Sequence, residues 1–272
     1  MRAVRGRPRS GRQGAAGLAE APPLTQVDVR RAADRFTTRG AGTVSRHSFS
    51  YGRHYDPANT SHGLLLAHNE ERLEVGAGFD THPHHDMEIV TWVVEGSLVH
   101  RDSTGHRGIV HPGLAQRMSA GTGVLHSERN DAHHLEPDRP REPVRFVQMW
   151  VPPDTRGRTP AYAQRDLRGE LTGGGLVPVA SGLARHAGGS AVPLDNGSAA
   201  LHAARLPPGG SVQLPAAPYL HLFVVRGAVV LDGAGALAEA DAARLTAAGG
   251  RTVTATEPAE VLVWEMHASE TG

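Results

Sequence analysis

Three histidines fall within four positions in GFDTHPHHDMEIVTWVVEG, residues 78–96. In an extended strand, residues two apart share a face, so His82 and His84 project together while His85 turns away. Pro83 between them cannot donate a ladder hydrogen bond, which places the pair at a sheet edge, a bulge or a strand end. A second pair follows in GTGVLHSERN (121–130), where His126 and Glu128 stand two apart behind a glycine-rich turn. Facing one interior, the two pairs supply three imidazoles and a carboxylate. That set suits one divalent first-row metal ion held by nitrogen and oxygen, with coordination positions left over. The chain has 17 histidines, and most of them, His47, His54, His62, His68, His106, His133, His134 and His186 included, read as surface or hydrogen-bonded residues.

The elements that must position these pairs are strands. Short extended runs alternate with turn clusters from Val27 onward: 63–69, 88–94, 97–102 and 144–151, then 201–206, 219–226, 228–232, 251–256 and 260–266. Several show the period-two alternation of a sheet with one buried face. Helical periodicity is scarce, and its best candidate, AEADAARL (238–245), reads better as turn and strand. The abundance of Gly (33) and Pro (19) fits many strands joined by tight turns. The halves also repeat: WVVEG (92–96) and FVVRG (223–227) each sit between two strand-like runs, as expected of two related β-barrels arising by duplication. The expected boundary lies near 155–175 and is drawn at 160/161, giving a metal-binding unit over 27–160 and a second unit over 161–272. The second unit has one histidine in the corresponding place, His221, and no downstream His-X-His or His-X-Glu. It is expected to serve as packing, a lid or a partner surface.

GFDTHPHHDMEIVTWVVEGSLVHRDSTG followed by HPGLAQRMSAGTGVLHSE resembles the central signature of the pirin family within the cupin superfamily. RHSFSYGRHYDPAN (46–59) resembles the lead-in to that signature, and VRFVQMWVPPDTRGRTPAYAQ (144–164) its continuation. The resemblance runs from about Val27 to Gln164 and thins beyond. It implies an all-β bicupin: two face-to-face, jelly-roll-type β-barrels with few short helices, and one metal in the N-terminal barrel. Carried onto this chain, the family's iron ligands fall on His82, His84, His126 and Glu128. The implied ion is Fe2+, with Zn, Ni, Mn or Cu as substitutes. Other cupins draw a carboxylate ligand from the first motif, where Glu88 stands; the alternation of His126 with Glu128 favours Glu128 and leaves Glu88 a supporting or structural role. Gln148 shares a strand face with Phe146 and Trp150, so its amide needs a partner and is expected to reach the metal site or the substrate. Met118 is a candidate for the pocket wall or for apolar filling. The resemblance further implies a quercetin 2,3-dioxygenase-type activity, with O2 cleaving a chelating flavonol or enediol and Glu128 acting as ligand and base. The alternative is an iron-bound, redox-sensing regulator that acts through protein contacts.

Composition narrows the remaining classes. Lys+Arg and Asp+Glu are both 28, so no net charge draws the chain to nucleic acid or an anionic membrane. No apolar run approaches the ~20 residues of a membrane span. Cysteine is absent, which removes disulfides, thiolate ligands and a thiol nucleophile and fits a reducing, cytoplasmic setting. A monomer is expected. Residues 1–26 carry five arginines in their first dozen positions and few large apolar residues, and read as a disordered arm or an over-long start. A basic arm touching an acidic partner is the other reading.

Overall fold

The computed structural model describes residues 25–188 and 191–270, nearly all of them in strands and turns. The arm assigned to residues 1–26 falls outside the described residues except for its last two. Four sheets make two barrels of matching design. In the first, a seven-stranded sheet runs in the order 161–166, 114–119, 88–95, 144–151, 67–73, 43–47, 36–40, and faces a four-stranded sheet ordered 78–84, 124–129, 98–102, 107–110. In the second, the seven-stranded sheet runs 26–30, 242–246, 219–226, 259–266, 199–206, 177–181, 192–193, and its four-stranded partner 211–213, 252–255, 229–231, 235–237.

The repeated pentapeptides sit at one corner of each barrel. Gly96 (φ 71°) and Gly227 (φ 73°) both hold the left-handed conformation after the strands Glu88–Glu95 and Tyr219–Arg226. A Cβ at Gly96 would lie 2.7 Å from the Pro143 carbonyl oxygen, and one at Gly227 2.2 Å from that of Pro258. Both the dihedral and the space demand glycine there. The segment 238–245 resolves as a turn leading into the strand Ala242–Thr246, with no helix.

Sequence neighbours do not always share a barrel. The strand Gln26–Arg30 pairs with Ala242–Thr246 of the second barrel. The strand Ala161–Asp166 pairs with Leu114–Ser119 of the first. A cut at 160/161 therefore detaches an edge strand from the sheet it completes.

The two large sheets lie against each other. One apolar cluster joins Val90, Trp92, Val94, Val147 and Met149 of the first barrel to Leu201, Phe223, Leu262 and Trp264 of the second. Trp92 Nε1 donates to Glu260 Oε1 (2.7 Å), and Trp264 Nε1 points at Met149 Sδ (3.2 Å). The barrel interiors differ. The second is filled by one continuous apolar cluster from Ala204 to Val263. The first is split into two, one around Phe146, Val93 and Leu98 and one around Ile89, Met118 and Val124. Polar side chains occupy the gap. Among the described residues no helix is long and apolar enough to cross a membrane.

Candidate metal centre

The gap in the first core is where the sequence pairs converge. His82 and His84 lie on Gly78–His84, the edge strand of the four-stranded sheet, where the missing N–H of Pro83 costs no ladder bond. That strand pairs with Val124–Arg129, His126 directly opposite His82, and a register shift follows between His126 and Glu128. His126 (1% exposed) and Glu128 (2% exposed) point inward from the same face. His85 turns out to solvent, its side chain 82% exposed.

His82, His84 and His126 offer ring nitrogens that all lie within 4.8 Å of one another, and His100, His126 and Glu128 form a second such trio. The three expected imidazoles thus come together, while Glu128 joins them through their shared member, His126. His82 Nδ1 lies 2.8 Å from the Asp80 carbonyl oxygen, which only accepts, so the proton sits on Nδ1 and Nε2 keeps its lone pair. His126 Nε2 stands 2.9 Å from that atom. Two ring nitrogens at this separation share either a proton or a cation. Two nitrogens at right angles on one ion, each ~2.1 Å away, would be about 3.0 Å apart. Among the described residues the buried His84 Nε2 has no partner. The donor set therefore fits a divalent ion.

Electrostatics agree. Burial, reinforced by His82 and then His84, pushes His126 down to about 2. Burial and the neighbouring His82 and His85 push His84 down to about 4. Both rings are neutral at pH 7, the state that binds metal. Burial raises Glu128 to about 7, opposed by its hydrogen bond from Gln148, and no cationic side chain among the described residues offsets it. A fully buried carboxyl with no counter-cation calls for one.

Gln148 lies against Glu128. From the strand Val144–Val151 its Nε2 donates to both Glu128 oxygens at 2.8 Å, while its Oε1 accepts from Trp150 Nε1 at 3.1 Å. Because Oε1 is an acceptor from the indole, the amide cannot be turned over, and Glu128 receives an N–H. Met118 packs with Ile89, Ala120 and Val124 beside the histidines, as apolar filling of the pocket wall.

Glu88 does not belong here. On Glu88–Glu95, Ile89 and Val93 face the barrel interior, whereas Val90, Trp92 and Val94 face the second barrel. Period two puts Glu88 with the latter set. Its Oε2 accepts from the Asp195 amide (3.1 Å) and faces Arg117 Nε at 3.7 Å. These contacts lie at the junction of the barrels and not among the histidines, so of the supporting and structural roles expected of Glu88 the geometry agrees with the structural one and not with a place beside the metal pocket.

Sequence reasoning passed over His100. It lies on Leu98–Asp102, opposite Glu128 in the register, with its Nε2 3.2 Å from Asp102 Oδ2. The signal was present: His100 and Asp102 are also two apart. Glu71 was missed as well. It shares the interior face of Ala67–Leu73 with Leu73, and burial lifts its carboxyl to about 8.

A cavity of about 900 Å3 lies between the barrels and includes Arg72, Arg226 and Glu260 but none of these histidines. A hollow of about 400 Å3 bounded by Pro83, His84, Gly123 and Leu125 opens beside the cluster. Chemistry, and not size, identifies the candidate centre.

Paired jelly-roll barrels with an imidazole–carboxylate cluster in one of them define a bicupin. Residues 28–151 match the family model described as Pirin. A Mycobacterium tuberculosis protein bearing the name "Putative quercetin 2,3-dioxygenase" is 56% identical over 242 residues, which is 89% of this chain and 96% of that protein. A pirin-like protein of Caulobacter vibrioides is 32% identical over 227 residues, 80% of this chain and 90% of its own length. The crystal structure of the Escherichia coli bacterial pirin YhhW in complex with nickel(II) superposes with a TM-score of 0.78 at 29% identity, covering 89% of this chain and all of that one. This chain belongs to the pirin family.

Proposed function

We propose that the first barrel holds one divalent metal ion, Fe2+ in the cell, through His82, His84, His126 and Glu128, and that the protein is a quercetin 2,3-dioxygenase-type enzyme acting on a chelating flavonol or enediol with O2. The observation that carries this reading is His126, shared between a cluster of imidazoles and a buried carboxylate. The nickel in the related pirin and the names of the relatives support it. The absence of cysteine supports a cytoplasmic setting.

When bound, the ion supplies Lewis acidity and, as iron, one-electron chemistry toward O2. The residues supply the rest. Glu128, raised to about 7, is poised to take a proton from a substrate hydroxyl near neutral pH. Gln148 fixes its orientation through both oxygens. The Asp80 carbonyl fixes the His82 tautomer, so Nε2 always faces the cluster. Trp150, edge-on to His84 with ring centroids 4.9 Å apart, and Met118 exclude water from one side. The hollow at His84 lies in the size range of small-molecule sites.

The test is anaerobic reconstitution with Fe2+, followed by oxygen uptake with a panel of flavonols and enediols. Uptake above free Fe2+, abolished by Glu128→Gln, is expected. Fully metallated protein with no uptake on any substrate would overturn the enzymatic reading and leave a regulator.

A further inference from the structure

More than half of the buried side-chain nitrogen and oxygen atoms that lack a partner among the described residues lie in one place, remote from the metal centre in sequence: Arg35 Nε and Nη1, Asn59 Oδ1, His68 Nε2, both ring nitrogens of His221, and Arg244 Nε. Apart from His68, these residues line a cavity of about 130 Å3 between the barrels. His68 touches it through His221, their ring centroids 4.7 Å apart. The walls come from separate elements: His221 from Tyr219–Arg226, Arg244 from Ala242–Thr246, and Arg35 from the turn before Phe36–Gly40.

Charge makes the cavity unusual. Arg244 is 6% exposed, donates Nη2 to the Ser48 carbonyl at 2.7 Å and stacks over Phe49 with its guanidinium carbon 4.3 Å from the ring centre. Among the described residues it has no carboxylate within ion-pairing distance: Asp28, opposite it in the strand register, pairs with Arg30 at 2.7 Å, and Arg31 at the mouth pairs with Asp241 at 2.7 Å. Arg35 shares Glu70 with Arg145, which also pairs with Glu239 at 2.7 Å. Asp34 and Asp56 are also in the lining but sit at its exposed and half-buried rim. A guanidinium taken out of water without a counter-anion is costly enough that proteins rarely keep one. The missing anion belongs in the cavity.

We propose that this inter-barrel cavity binds a compact oxyanion of the phosphate type. The volume equals about four waters at ~30 Å3 each, enough for one tetrahedral oxyanion and too little for a nucleotide. Guanidinium and imidazole N–H groups converging from three elements suit an anion with oxygens in several directions. Asn59 selects within the class. Its Nδ2 donates to the Ser48 carbonyl at 3.3 Å, which fixes the amide and leaves Oδ1 as an unpaired acceptor. Hydrogen phosphate has an O–H to give it, and sulfate at neutral pH has none. The anion is either free inorganic phosphate or the end of a phosphomonoester in its singly protonated form, which keeps an O–H for Asn59.

The experiment is calorimetric titration of the full-length protein with inorganic phosphate, phenyl phosphate and sulfate, ionic strength held constant with NaCl. Saturable phosphate binding is expected, tighter than sulfate. Phenyl phosphate binding as well as inorganic phosphate assigns the phosphomonoester source; its exclusion assigns the free ion. Arg244→Gln should weaken phosphate at least tenfold. Asn59→Asp, which sets a carboxylate against the anion with little change in shape, should abolish binding while the circular dichroism stays that of the wild type, and it decides the matter if Arg244→Gln does not fold. His126→Ala should bind phosphate as the wild type does. Absence of saturable binding in the wild type would overturn the proposal. So would wild-type affinity in folded Asn59→Asp, or loss of binding in His126→Ala, which would place the phosphate on the metal.

Discussion

Replacing Gln148 with leucine isolates what the second strand contributes to the carboxylate. In the wild type, Nε2 donates to both Glu128 oxygens at 2.8 Å, and the acid is wholly enclosed. A hydrogen bond to a charged group contributes about 1.5–3 kcal/mol, equivalent to about one to two pK units. Donation favours the ionised form, so its loss raises Glu128 further above about 7. A metal binds the ionised carboxylate only, and protons compete more strongly in Gln148→Leu. Affinity at pH 7, where the wild-type acid is already half protonated, should fall about five- to fiftyfold, and the pH at which affinity levels off should rise by about one to two units. Near pH 9.5 the gap between variant and wild type should narrow, because both carboxyls are then largely ionised. Chelator competition under argon across pH 6–9.5 measures this. An unchanged pH profile in a folded Gln148→Leu would refute the coupling of Gln148 to Glu128.

Three further outcomes follow from the same geometry. Glu88→Gln should keep its metal but lower the unfolding midpoint by a few degrees, reflecting about 1–3 kcal/mol from the buried contacts to Asp195 and Arg117; metal loss in this variant would return Glu88 to the site. The metal-free protein should lose stability as pH falls from 6.5 toward 4 relative to metal-free His84→Gln, in which the opposing gain from the raised carboxyls of Glu71 and Glu128 is the same. His84 titrates near 4 folded and 6.5 unfolded, so the unfolded chain takes up its proton first, and a pH-independent difference between the two midpoints across that window would contradict its neutral state. Truncation to residue 31 removes the strand paired with Ala242–Thr246 and should destabilise the second barrel, whereas truncation to residue 25 should not; equal melting of the two forms would show that this edge strand is dispensable.

The metal pairs were legible because period two is local: it needs only the strand, and it survived a bulge between His126 and Glu128. Gln148 was legible for the same reason, as the polar member of an apolar face. Glu88 was not. Glu88–Glu95 is covered on both faces, and all but its last residue is buried, so the residues read as a continuous run with no sign of which parity looks into the barrel. The two barrels were visible in WVVEG and FVVRG because a left-handed glycine marks the same corner twice. The allotment of edge strands was hidden, since Gln26–Arg30 finds its partner more than 200 residues away. The cavity at Arg244 was equally hidden. Its residues are ordinary one by one, and only folding leaves a guanidinium there without a carboxylate.

The central claim is that His82, His84, His126 and Glu128 together hold one metal ion. Elemental analysis of protein reconstituted anaerobically with Fe2+ and desalted tests it most directly, comparing the wild type with His82→Ala and His126→Ala. One equivalent per chain in the wild type and a small fraction of that in both variants is predicted. A full equivalent retained in either folded variant would contradict it.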